Sequence, residues 1–132
     1  MIDYEVKIFN RFYARVAPLC AENKVVSTVI SKAPTALPAV SLIEMDNRTV
    51  RERQSSSLKE NYAQITYQLE VYASTKRKCR EVLSAADEAM IAMNFNRLSG
   101  QYVNNPDNTK VFRYVARYEA IIDEYGNLYR RP

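Results

Sequence analysis

Hydrophobic and polar positions change period several times along the chain, and each change marks an element. From 62 to 73 the period is two: Ile65, Tyr67, Leu69, Val71 and Ala73 alternate with Gln64, Thr66, Gln68, Glu70 and Tyr72. That alternation predicts a strand with one buried and one wet face. Residues 110–123 repeat it, with Phe112, Tyr114, Ala116, Tyr118, Ala120 and Ile122 on one face and Val111, Arg113, Val115, Arg117 and Glu119 on the other. Two such strands are expected to pair at the centre of an antiparallel sheet. Between them the period lengthens: Val82, Ala86, Ala89, Met90 and Met93 form a helical stripe over 76–93, with Ser74 or Thr75 placed to cap it.

The N-terminal segment is also helical by period. Ile2, Val6, Phe9, Tyr13 and Val16 recur at steps of four and three, predicting a helix over 3–21 with this set on its buried face. Asp3 and Glu5 fall in the first turn, where the helix dipole favours them, and Pro18 ends or kinks the helix. Residues 24–31, rich in Val, Thr and Ile, read as a strand. Pro34 and Pro38 bracket a turn, and Ala39–Asp46 is a strand with Val40, Leu42 and Glu44 on one face and Ser41, Ile43 and Met45 on the other. Residues 95–102 suggest a short strand, and 104–108 and 124–127 are turns by composition. The stretch 47–61 reads as a long polar loop, carrying Arg48, Arg51, Arg53 and Lys59. A compact domain rarely keeps so long a loop without a use for it. The order of elements predicts an α+β fold in one domain, 1–132, with a mainly antiparallel sheet flanked by the N-terminal helix and the second helix.

Composition narrows the chemistry. The chain has 132 residues, 47% apolar and 26% charged, as expected of a soluble globular domain. It contains no histidine, which removes the commonest general base and metal ligand. Two glycines supply no phosphate loop of the P-loop or dinucleotide type. Glu44 and Asp46 share a strand face, and Asp87 and Glu88 diverge on a helix; neither pair carries a mark of catalysis. Pro106-Asp107 starts a nuclease-like pattern, but no Glu-x-Lys follows on a later strand. An enzyme is the weakest reading, and no cofactor or metal is implied. Cys20 and Cys79, in segments read as helical, are expected to be buried free thiols, with a disulfide between them the alternative. No apolar run reaches the roughly 20 residues a membrane span needs, and the acidic start is unlike a secretory signal.

Net charge is +4, a mild excess. The cations of 47–61 form one candidate contact group. Lys76, Arg77, Lys78 and Arg80 form another, crowded at a helix start where the dipole disfavours them. Ten tyrosines fall largely at alternate strand positions, which suits core-edge packing and protein interfaces.

Three runs carry a resemblance to a known family. They are the proline-led strand 37–47, LPAVSLIEMDN; the strand 61–73, NYAQITYQLEVYA, leading into Lys76–Val82; and the strand 111–120, VFRYVARYEA, followed by residues 123–131. With the N-terminal helix these cover nearly the whole chain. The pattern resembles the tail terminator, or tail completion, proteins of long-tailed bacteriophages, also described as minor capsid or neck proteins. The resemblance implies a ring of identical subunits, usually a hexamer, that caps the finished tail tube, stops its growth and meets the head connector or stopper protein. DNA later passes through the ring, and the family's loop equivalent to 47–61 faces the lumen or a neighbour. It implies assembly in the host cytoplasm and residence in the virion neck. A related neck component, such as a head completion or stopper protein, is the alternative. A small nucleic-acid-binding domain using Arg48, Arg51, Arg53, Lys76, Arg77 and Lys78 is a third reading.

Overall fold

A computed structural model describes residues 1–28, 36–50, 62–103 and 110–130. Their fold is α+β. Helix α1 spans Glu5–Val16 and α2 spans Lys76–Ala92; the strands are β1 (Val25–Val26), β2 (Ala39–Thr49), β3 (Tyr62–Ala73), β4 (Asn96–Val103), β5 (Phe112–Asp123) and β6 (Leu128–Tyr129). The sheet runs β1-β2-β3-β5-β4, with β6 added beside the end of β5. Among the described residues, the β1–β2 pair is parallel and the other pairs are antiparallel.

The centre of the sheet is the β3–β5 ladder, paired from Tyr62↔Asp123 to Ala73↔Phe112 without a register shift. The alternation of β3 dictates this. Ala63, Ile65, Tyr67, Leu69, Val71 and Ala73 are all buried and meet Ala116, Tyr118, Ala120 and Ile122 of β5 in one core. Both helices cover that face. Thr75 caps α2, its Oγ1 accepting from the Lys78 N–H at 3.1 Å, and Cys79, Val82, Ala86, Ala89 and Met90 form the buried stripe. Phe95, just beyond α2, stands edge-on to Tyr67 at 5.4 Å.

Helix α1 departs from the expected orientation. Its buried residues are Ile8, Phe12 and Val16, whereas Val6 is 74% exposed and Phe9 and Tyr13 lie at the margin. The apolar arc is wider than one face, and the packing partner selects the half that brings Phe12 and Ile8, one turn apart, onto the core. The helix stops at Val16, and Ala17–Leu19 and Ala21–Asn23 continue as short 3-10 turns. Pro18 explains the stop: it has no N–H to continue the α ladder. Cys20 therefore sits between these turns and not in a helix; like Cys79 it is free and buried. Burial pushes both thiols up to about 11, against a smaller opposing pull from Lys78 at Cys20, so both are unreactive thiols at neutral pH.

Two strands differ in length from the sequence reading. The first is confined to Val25–Val26, with residues 29–35 outside the described set. β2 continues through Thr49, so 47–49 are strand and not loop; residues 51–61 lie outside the described set. The 104–108 turn also falls on residues not described. At the other end the 124–127 turn forms as expected. Gly126 takes φ +87 there, and the Asp123 carboxylate accepts from the Tyr125 and Asn127 N–H groups and from the Tyr129 hydroxyl, each at 2.9 Å.

The second sheet face is mostly polar and holds two buried carboxylates, Asp123 at the turn and Glu70. Glu70 is 1% exposed and is held by Arg113, whose Nε donates to Oε1 at 2.8 Å. Tyr72, Ala39, Val111 and Leu37 close over this corner. Arg113→Ala would strand a buried carboxylate, and we expect a loss of roughly 3–5 kcal/mol. Converting both partners to methionine should recover most of it. The midpoints of urea unfolding for the single and double variants check this.

Candidate contact surface

The basic start of α2 is built against an aromatic floor supplied by β4 and β5. Tyr102 of β4 lies beneath the first turns of the helix. Lys76 Nζ sits 5.0 Å from its ring centroid, and Arg80 Nε donates to its hydroxyl at 3.0 Å. Tyr102 meets Tyr114 of β5 edge-on, 4.9 Å between centroids. Gly100 makes room for that pair: a Cβ there would come within 2.4 Å of the Tyr114 hydroxyl. A glycine inside a strand commonly marks such a close approach.

The α2–β4 groove has a volume of about 500 Å³ and runs from Tyr102 to Arg97. At its far end Arg97 approaches Asp87 at 3.4 Å, and Asp87 also accepts from the buried Tyr118 hydroxyl at 2.6 Å. Burial first, and then this bond, push the Tyr118 phenol well above its ordinary range. Glu88 points to solvent, so the adjacent carboxylates diverge as expected.

Of the four predicted cations at α2, Lys76 and Arg80 converge on Tyr102. Arg77 is exposed beside them, and Lys78 turns to Glu81 at 3.4 Å. No acidic residue occupies the first turn. Each exposed cation there works against the helix dipole by about 0.3–1 kcal/mol, and the Tyr102 ring offsets part of that for Lys76 by about 0.5–1 kcal/mol. The other predicted group is divided. Arg48 lies in β2, exposed and 2.8 Å from Asp46, while Arg51, Arg53 and Lys59 lie outside the described residues.

A second charged patch occupies the opposite edge of the sheet. Glu44 and Asp46 do not share a face as expected. A bulge at Met45 puts Glu44 opposite Tyr67 under α1 and Asp46 opposite Thr66 on the uncovered face. The start of α1 is tied down here, since Asn47 Nδ2 donates to the Ile2 carbonyl at 2.8 Å. Asp3 and Glu5 thus come near Glu44. Its carboxyl is held above the usual range, first by burial and then by the charges of Glu5, Asp3 and Asp46.

Sequence reasoning found the α2 cations and missed their setting. Tyr102, Gly100 and Arg97 join them only through the β4–β5 register, and Asp3, Glu5 and Glu44 meet only across the fold. The intra-strand glycine was the one available signal. Together these features define an α+β protein with a cationic, tyrosine-backed surface on one side and a carboxylate cluster on the other. No family model matches the chain, and no curated protein matches it. No helix among the described residues is long and apolar enough to cross a membrane.

The Glu44 shift has a definite sign. A carboxyl whose folded pKa is raised adds stability below its unfolded value, and that contribution is lost as pH rises through the folded one. Glu44→Gln is therefore expected to raise the melting temperature at pH 7. The gain should vanish as pH falls below about 4. Thermal melts across that range check it.

Proposed function

We propose that this chain is a structural virion protein, a ring-forming tail terminator that caps a phage tail tube, stops its elongation and offers a surface for head–tail joining. The observation that carries the reading is the open sheet. β4 is an edge strand whose residues Arg97–Tyr102 are all exposed. At the opposite edge, among the described residues, β1 pairs with β2 at Val40 and Ser41. An open edge is a template for another chain, and a subunit with two different open edges can build a closed ring through one repeated contact.

The resemblance adds the biological setting. Its three runs fall on β2, on β3 with the first turns of α2, and on β5, the elements that make the sheet and its basic shoulder. On this reading the partners are further copies of the chain, the tail tube protein and the connector or stopper, with DNA passing through the ring. A neck component on the connector side is the alternative. The cations around Tyr102 also favour a second reading, nucleic-acid binding, since bases stack on tyrosine and phosphates pair with Lys and Arg.

Light scattering after size exclusion, with electron microscopy of the peak, is expected to show a ring. Added to tails that otherwise elongate without limit, the protein should fix their length. A monomer at high concentration with no effect on tails overturns the proposal. Rings without an effect on tail length move the protein to the connector side. DNA binding that strengthens as salt falls and is lost on Lys76→Ala with Arg77→Ala favours the nucleic-acid reading.

A further inference from the structure

The two open edges differ in charge, and the difference bears on which surfaces meet. Along β4, on the helix-covered side, stand Arg97, Arg80, Lys76 and Arg77. Along β2 beyond Ser41 stand Glu44 and Asp46, with Asp3 and Glu5 from α1; among the described residues Arg48 pairs with Asp46, and Lys7 and Arg11 of α1 lie further along the helix from Asp3. We propose that the chain self-associates head to tail, the basic β4 edge of one copy docking on the acidic β2 edge of the next. The proposal rests on the ring reading for the need of a second copy, and on charge and strand direction for the choice of surfaces.

Strand direction permits the contact. β2, β3, β5 and β4 follow one another through three antiparallel pairings, so β2 and β4 run in opposite directions. A neighbour placed beside the first copy by a small rotation sets its β2 antiparallel to that β4, and the sheet continues with both helix layers on the same side. Glu44, Glu5 and Asp3 on one copy then lie in the same layer as Lys76, Arg80 and Arg97 on the other. A two-fold arrangement sets β4 on β4 or β2 on β2 and brings like charges together, which interfaces avoid.

Beside burial, the charges of Glu5 and Asp3 hold the Glu44 carboxyl above its usual range, and cations from a neighbour would relieve that. Each edge also carries a bulge, at Met45 in β2 and at Leu98 in β4. These two side chains are 49% and 52% exposed. Bulges deter indiscriminate edge pairing, which leaves charge and these two aliphatics to select the partner.

The test uses two variants of the full chain. Lys76→Glu with Arg77→Glu reverses the basic edge and suits a helix N-terminus. Asp3→Lys with Glu5→Lys reverses the acidic edge. Both are first shown to melt cooperatively. Each alone is expected to associate at least about tenfold more weakly than the parent, and an equimolar mixture should regain assembly, because every junction then joins opposite charges. Wild-type assembly should also weaken as salt rises from about 0.05 M to about 0.5 M. If the parent forms rings and both variants do so equally well, or the mixture fails to recover, the choice of edges is wrong while the ring reading stands. If the parent stays monomeric at low salt and high concentration, the ring reading falls with it. Should a variant fail to fold, assembly of the parent that is indifferent to salt overturns the proposal.

Discussion

The β3–β5 ladder is the interaction on which the rest of the structure depends. Twelve consecutive pairs run without a bulge, so both strands keep strict alternation and present one continuous apolar surface. Tyr67 and Tyr118, opposite each other in that ladder, are fully buried. The helices have one place to go, because only that face buries their stripes. A one-residue slip would put Gln64, Gln68 and Glu70 into the core and Ile65 and Leu69 outside it. Glu70, buried on the far face under Arg113, strengthens the same register, since only this alignment supplies its cation.

With the centre of the sheet so fixed, irregularity is confined to the edges. β2 and β4, the strands that flank the ladder, each carry one extra residue, Met45 and Leu98. The insertion at Met45 has an electrostatic consequence: it moves Asp46 to the uncovered face and leaves Glu44 alone under α1. Around Leu98 the same device allows Arg97 to reach Asp87 on the helix side while the strand recovers its pairing at Ser99. Edge geometry thus decides which charges meet an opposite charge within the chain, as Arg97 meets Asp87 and Arg48 meets Asp46.

A net charge of +4 hides this division. Cations gather at the β4 edge and carboxylates at the β2 edge, both on the helix-covered face. Such segregation gives the molecule polarity from one sheet edge to the other. The Tyr102 ring, held by Tyr114 over the gap that Gly100 leaves, keeps Lys76 and Arg80 in position at a helix start that would otherwise disfavour them.

Much of the fold was legible along the chain. The alternation of β3 and β5, the stripe and cap of α2 and the turn at Gly126 follow from local periodicity and turn chemistry, which need no knowledge of distant residues. The cations at the α2 start were legible for the same reason. The buried half of α1 was not, because its apolar arc fits two orientations and only contact with the core chooses Ile8 and Phe12 over Val6 and Tyr13. The bulges were not legible either, since an extra residue is defined by its partner strand. The two charged edges combine residues far apart in sequence, Asp3 with Glu44 and Arg80 with Tyr102. Local pattern determined which elements form; the pairing register across the sheet decided which charges they bring together.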